Sequence, residues 1–258
     1  MTRVALFLAG LVGIFFIALA AGKVIDLEDR TLGEEAHAAD DAHGELAPAG
    51  LALEQDGYRL VHARASFVAG RPYRYVFRIL GPDGSVLRDY DVAHERRLHL
   101  IIVGREPDGP FLHLHPRQRA DGAWSAPLQL PVAGSYRVFA DFTTSGERRT
   151  LAIDLAATGG PPPVAWWDSS YVVKLRAQGD RLVFDVRGDR GPVETQPYLG
   201  AGGHLVVLRE GDLAYIHAHA EEDELAFDVP FPSEGRYRLY LQFKVGDTVE
   251  TVHFEVER

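Results

Sequence analysis

At 258 residues, 46% of them apolar and 25% charged, the chain has room for two globular domains and enough apolar side chains to pack a core in each. Its formal charge of −10, with the basic residues scattered, argues against nucleic acid as a partner. With no cysteine, and Met1 as the sole methionine, disulfides, thiol nucleophiles, cysteine-type zinc sites, blue-copper chemistry and thioether ligands for Cu(I) are all excluded.

Arg3 is followed by an uninterrupted small and apolar run from Val4 to Gly22, long enough to cross about 30 Å of hydrocarbon as a helix. One positive charge before it and an acidic stretch after it (Asp26, Glu28, Asp29, Glu34, Glu35) place the N-terminus inside and the body outside. Ala18-Leu-Ala20 fits a signal-peptidase site, but the run exceeds a typical cleaved segment, so residues 1–25 read as an uncleaved membrane anchor. The expected location is therefore the cell membrane, single-pass, with the body extracytoplasmic. Residues 26–50 are acidic, alanine-rich and nearly free of large apolar side chains, the composition of a flexible tether. The tether contains a loose cluster, His37-Ala-Ala-Asp-Asp-Ala-His43, which reads as solvated linker.

The first domain is expected over residues 51–157. Tyr58–Arg64 and Tyr73–Leu80 read as strands, the latter alternating Tyr73, Tyr75, Phe77 and Ile79 against Arg74, Val76 and Arg78. Gly81-Pro-Asp-Gly84 has the chemistry of a turn. A histidine-bearing hairpin follows, Arg97–Val103 and Phe111–Pro116, then strands over Trp124–Leu130, Ser135–Phe142 and Arg148–Leu155. Residues 158–163, Thr-Gly-Gly-Pro-Pro-Pro, form a stiff linker. The second domain, residues 164–258, repeats the pattern with strands at Tyr171–Arg176, Arg181–Val186, His204–Arg209, Leu213–Ala218, Glu224–Val229, Arg236–Phe243 and Thr248–Val256. Gly179-Asp180 and Gly246-Asp247 mark tight hairpins, and Gly200-Ala-Gly-Gly203 reads as a loop because no helix follows it. Short strands with frequent turns and no helical period define an all-β protein: two tandem antiparallel β-sandwich domains, Ig-like or cupredoxin-like, after an N-terminal transmembrane helix. Tyr136 and Tyr237, each two residues after a glycine, read as tyrosine-corner residues; His253 reads as exposed and His62 as unremarkable.

The duplication covers the histidines as well. Side chains alternate along a strand, so His113 and His115 share a face with Phe111 while Leu112 and Leu114 point away. If Val103 faces Phe111, then Ile101 faces His113 and His99 faces His115. In the second copy, Leu208 opposite Tyr215 brings Val206 to His217 and His204 to His219. Opposed Cβ atoms lie about 4.5–5.5 Å apart, close enough for two imidazoles to share an ion. Three histidines per domain suit Cu(II), Zn(II) or Ni(II). His94 and Asp141 are possible helpers in the first site, Asp141 as a ligand or as a partner orienting a histidine. The counterpart of Asp141 is Gln242, which carries no charge, so the first site is expected to bind more tightly.

The segments His94–Val103, Phe111-Leu-His-Leu-His-Pro116, Tyr136–Phe142, Gln196–Val206 and Leu213–His219 resemble a family of exported, membrane-tethered bacterial proteins described as secreted, membrane or heavy-metal-binding. The resemblance spans nearly the whole chain and implies the anchored double-sandwich architecture. The family's second His-x-His is usually followed by Pro; here Ala220 and the acidic run Glu221–Glu224 take its place, which predicts a less shaped second pocket. No nucleophile elbow, P-loop or His-Glu-x-x-His helix is present, so a non-enzymatic role is expected. The expected role is binding, buffering or handover of Cu(II) or Zn(II) at the cell surface. The competing reading is an adhesion or scaffold module, with structural histidines, that engages another envelope protein.

Overall fold

The computed structural model describes residues 49–160, 169–220 and 224–258. The expected anchor, the tether with His37 and His43, the three prolines of the linker and most of the acidic run lie outside the described residues. Those described are all strand, turn and loop; among them there is no helix, and none long and apolar enough to cross a membrane.

The first domain contains β1 (Glu54–Gln55), β2 (Tyr58–His62), β3 (Ser66–Val68), β4 (Tyr73–Leu80), β5 (Leu98–Gly104), β6 (Phe111–Leu114), β7 (Arg117–Gln118), β8 (Trp124–Leu128), β9 (Gly134–Thr144) and β10 (Glu147–Thr158). They form two sheets, β1-β2-β4-β8-β7 and β3-β10-β9-β5-β6, and β3 runs parallel to β10. This is the immunoglobulin arrangement, with three central strands β10-β9-β5 in one layer and β2-β4-β8 in the other. The alternation in β4 buries Tyr75, Phe77 and Ile79, which pack against Leu98, Leu100, Ile102, Val138 and Leu151 from the facing layer.

The second domain contains β11 (Val172–Gln178), β12 (Arg181–Gly188), β13 (Gly191–Pro192), β14 (His204–Arg209), β15 (Tyr215–His219), β16 (Ala226–Asp228), β17 (Arg236–Val245) and β18 (Thr248–Glu257). One sheet is β11-β12-β13 with β16 also on β12, and the other is β15-β14-β17-β18. Its core joins Leu182, Phe184 and Phe227 to Leu205, Val207, Leu239, Leu241 and Phe243.

Most expected strands are present, several extended by a few residues; the two-residue strands β1, β7 and β13 and the three-residue β3 are additions. The turn at Gly81–Gly84 closes with a bond from the Gly84 amide to the Gly81 carbonyl (2.9 Å). Both hairpin glycines adopt the left-handed backbone that the turn requires (φ 57° at Gly179, 58° at Gly246). Both tyrosine corners form. The Tyr136 hydroxyl donates to the Val132 carbonyl and that of Tyr237 to the Ser233 carbonyl, each at 2.7 Å and each four residues back.

β5 is buried along its whole length and so is most of β14. An antiparallel strand with one face on its own core normally shows polar residues on the other. Here the second face is covered by the other domain. Ile101, Val103, Phe139 and Ala152 pack on Val206, Leu208, Leu213, Tyr215 and Tyr240 in a third apolar core between the two sandwiches. Phe111 stacks on Tyr240 (centroids 4.5 Å, 10°), and Phe139 stacks on Tyr215 (4.8 Å, 22°). These pairs are each other's mirror through the duplication, since Phe111 corresponds to Tyr215 and Phe139 to Tyr240. The repeat has folded back on itself about a pseudo-twofold axis, as an isologous dimer interface does. The arrangement is imperfect at its rim. Arg238 crosses to the carbonyls of Gly104, Glu106 and Pro107, whereas its counterpart Arg137 binds the carbonyls of Gly50 and Leu51 and the Asp154 carboxylate.

Candidate metal centre

Each covered face carries three rows of three side chains, fixed by strand register. In the first domain the rows are Val103, Phe111 and Arg137, then Ile101, His113 and Phe139, then His99, His115 and Asp141. The His99–His115 pairing continues the β5–β6 register one step beyond Leu100–Leu114, with ring centroids 5.2 Å apart. In the second domain the rows are Leu208, Tyr215 and Arg238, then Val206, His217 and Tyr240, then His204, His219 and Gln242. The hairpin pairings expected from the sequence are therefore present in both copies. Leu112 and Leu114 turn to the first domain's core, leaving the histidines on the outer face.

Within each triad every histidine offers one nitrogen within 4.8 Å of the others'. His99 Nδ1 lies 2.9 Å from His113 Nε2, and His204 Nδ1 lies 3.3 Å from His217 Nε2. The two triads, one per domain, lie side by side. The His99 ring centroid is 5.1 Å from that of His217 and 5.9 Å from that of His204, comparable to the 5.2 Å to His113 within its own triad.

The orienting groups are exchanged between domains. Gln242 accepts a hydrogen bond from His113 Nδ1 (2.6 Å), while its amide nitrogen donates to Thr251 Oγ1 (3.0 Å). Asp141 accepts from His217 Nδ1 at 2.9 Å. It also accepts two bonds from Arg148, 2.9 Å from Nε and 2.6 Å from Nη2, and one at 3.3 Å from the Tyr215 hydroxyl. With both oxygens so engaged, Asp141 orients a histidine of the second domain rather than serving as a ligand in the first. Burial alone would raise its pKa, but the Arg148 guanidinium overrides burial and holds the carboxyl well below the usual range. The expectation that Asp141 would favour the first site is thus redirected, because strand register places it beside His99 while its side chain reaches across the interface.

His94 is also redirected. It occupies a tight turn closed by bonds between Ala93 and Arg96, with His94 and Glu95 both left-handed (φ 49° and 60°). Its ring stacks on His219 of the second domain (3.4 Å, 12°). The second domain has the matching turn, Tyr198–Ala201, with Leu199 and Gly200 left-handed (φ 54° and 70°). This turn is the structural use of the glycine-rich loop: it aims the Tyr198 carbonyl at His204 Nε2 (3.0 Å). Tyr198 and Gln242 in its orienting role had no signal of their own beyond lying beside duplicated histidines.

Proton bookkeeping isolates an unusual contact. A carbonyl only accepts, so His204 Nε2 carries the proton and its Nδ1 is a bare lone pair. His217 Nδ1 donates to a carboxylate, so its Nε2 is bare as well. Two lone pairs then face each other at 3.3 Å, a repulsive contact unless a cation lies between them. A proton is disfavoured: burial lowers the pKa of both rings, that of His204 to about 3. Two nitrogens at about 2.0–2.1 Å from a tetrahedral metal ion stand about 3.3 Å apart, which fits the observed spacing. The Nε2 atoms of His99, His115 and His219 are buried and have no hydrogen-bond partner among the described residues. Burial also lowers His99 to about 2 and His115 to about 4, so the cluster is neutral imidazole, the ligating form, at pH 7. The second triad, expected to be less shaped, is the more buried of the two, and Ala220 beside it is packed in the core. His253 is half-buried against Tyr240 (5.1 Å) rather than exposed, and His62 contacts the Tyr75 hydroxyl (3.2 Å).

Fold and site together define a class: two immunoglobulin-type sandwiches closed face to face over a shared histidine cluster. The chain belongs to a family known as a domain of unknown function, DUF8832, whose model matches residues 53–159 and 170–258, one segment per repeat. No curated protein matches the sequence. Among solved structures the chain is similar to the Escherichia coli adhesin FdeC (16% identity, 80% of this chain and 65% of that one, TM-score 0.30). It is also similar to Salmonella alpha-2-macroglobulin (16%, 83% and 15%, 0.31) and to a two-domain fibronectin type III segment of chicken tenascin (10%, 77% and 97%, 0.25). The chain spans less than two thirds of the first two, and likeness at this level carries no inference about activity or partners.

Proposed function

We propose that this is a membrane-tethered, extracytoplasmic metal-binding protein that holds a divalent transition metal, copper or zinc, between its two domains for buffering or handover. The observation that carries the reading is the 3.3 Å approach of His204 Nδ1 to His217 Nε2, the spacing of two ligands on one metal ion, with the other nitrogen of each ring held by an acceptor. The donor set is entirely imidazole nitrogen, which suits Cu(II), Zn(II) or Ni(II) and offers nothing to a hard, oxygen-seeking cation. His113 and His217 each anchor their second nitrogen on a side chain of the opposite domain, the usual support of a ligating histidine. The role is read as non-enzymatic, and the anchor as the Val4–Gly22 run.

The test titrates the purified full chain with Cu(II) and Zn(II) beside a His113→Ala/His115→Ala variant. Saturable binding at micromolar concentration or tighter, lost or sharply weakened in the variant, is the expected result. Equal behaviour of the two would overturn the metal reading and favour an adhesion or scaffold module docking on an envelope partner.

A further inference from the structure

We propose that the six histidines hold two divalent ions as one dinuclear centre, completed by a small anion that enters through an arginine-rimmed cavity. This rests on the metal reading above and goes beyond it in number of ions, in their coupling and in a second ligand class.

Three observations carry the inference. The triads interleave: besides the His99 contacts, the His113 ring lies 5.6 Å from His217 and 5.8 Å from His204. Rings so close allow ions held by the two triads to approach within reach of one bridging atom, as in two-metal sites spaced about 3.5–4 Å. Charge comes next. Six neutral imidazoles contribute none, and among the described residues the carboxylate hydrogen-bonded to the cluster, Asp141, is already paired with Arg148. Two dications therefore bring four positive charges into a largely buried site where Asp141 is already committed to Arg148. A water-derived hydroxide or another small anion supplies both the bridge and the balance.

The third observation is the route. A cavity of about 60 Å³ is lined by His99 of the first triad, His219 of the second, His94, Arg96, Arg97 and Arg148. His99 and His219 each have an Nε2 atom without a partner among the described residues. The volume holds a few waters or a small inorganic anion and is too small for an organic substrate. Asp141 also lines the cavity and offsets Arg148, so the guanidinium groups of Arg96 and Arg97 give its wall a net positive charge that favours an anion.

The full chain loaded with Cu(II) and freed of excess metal gives two measurements, copper per chain and integrated electron paramagnetic resonance intensity. Two coppers per chain with less than about half the intensity of the copper present, restored in full on acid release, is the result expected of a bridged pair. One copper per chain, or two with full intensity, overturns the dinuclear centre and leaves metal binding standing. No retained copper overturns both. The anion route is tested with azide, followed by its charge-transfer absorption on the copper-loaded chain. Arg96→Ala/Arg97→Ala should weaken azide binding at least about fivefold with copper content unchanged. Unchanged azide affinity overturns the route.

Discussion

At the residue scale, Asp141 and the histidines divide the electrostatics between them. Asp141 ties Arg148, Tyr215 and His217 together at the seam between the domains, and the Arg148 side chain stays 47% exposed. That exposure places the pair below a fully buried one in energy, so Asp141→Asn is expected to cost about 1.5–3 kcal/mol, read as a loss of denaturation free energy. The same change should weaken metal binding by about tenfold or more, since His217 loses the charge that fixes its tautomer. The buried histidines set the pH dependence. Burial puts His99 at about 2, His204 at about 3 and His115 at about 4, all below the unfolded value near 6.5. A depressed folded pKa contributes stability that is present above the unfolded value and lost as pH falls toward the folded one. The metal-free chain should therefore lose melting temperature steadily from about pH 6.5 down to 4. A flat calorimetric profile across that window would contradict the neutral, buried cluster.

At the element scale, the hairpin β5–β6 depends on a close backbone crossing. A Cβ on Gly104 would lie 2.9 Å from the Gly109 Cα, and one on Gly109 would lie 2.8 Å from the Gly104 Cα. Gly104→Ala must push backbone apart at the turn that sets the His99–His115 register, so a loss of about 1–3 kcal/mol is expected in chemical denaturation, with weaker metal uptake. The strands, their register and the histidine faces were legible in the sequence because alternation and turn chemistry are local. The run Leu98-His-Leu-Ile-Ile-Val103 also carries a signal of the covered interface: a strand apolar on both faces must be covered on both. His94 and Asp141 went to the wrong triad because nothing local says which domain a side chain crosses to. The left-handed backbone of Leu199 was likewise hidden, since leucine does not favour that conformation.

At the scale of the whole molecule, the centre and the interface are one object. Gln242 belongs to the second domain but orients a histidine of the first, so Gln242→Ala should lower copper affinity by about tenfold while the chain still unfolds in a single transition. Tyr240→Ala removes a ring that is fully buried between the domains and stacked on Phe111; about 3–5 kcal/mol of lost stability and separate melting of the two sandwiches are expected, read by calorimetry. The reciprocal stacking pairs have a historical corollary. A single ancestral sandwich could have assembled this centre by pairing with its twin, but only with the same group at both orienting positions. Joining the twins in one polypeptide released that constraint. An acid could settle on one side and an amide on the other, so that two ions bound there would have unequal surroundings, one held and the other more readily given up.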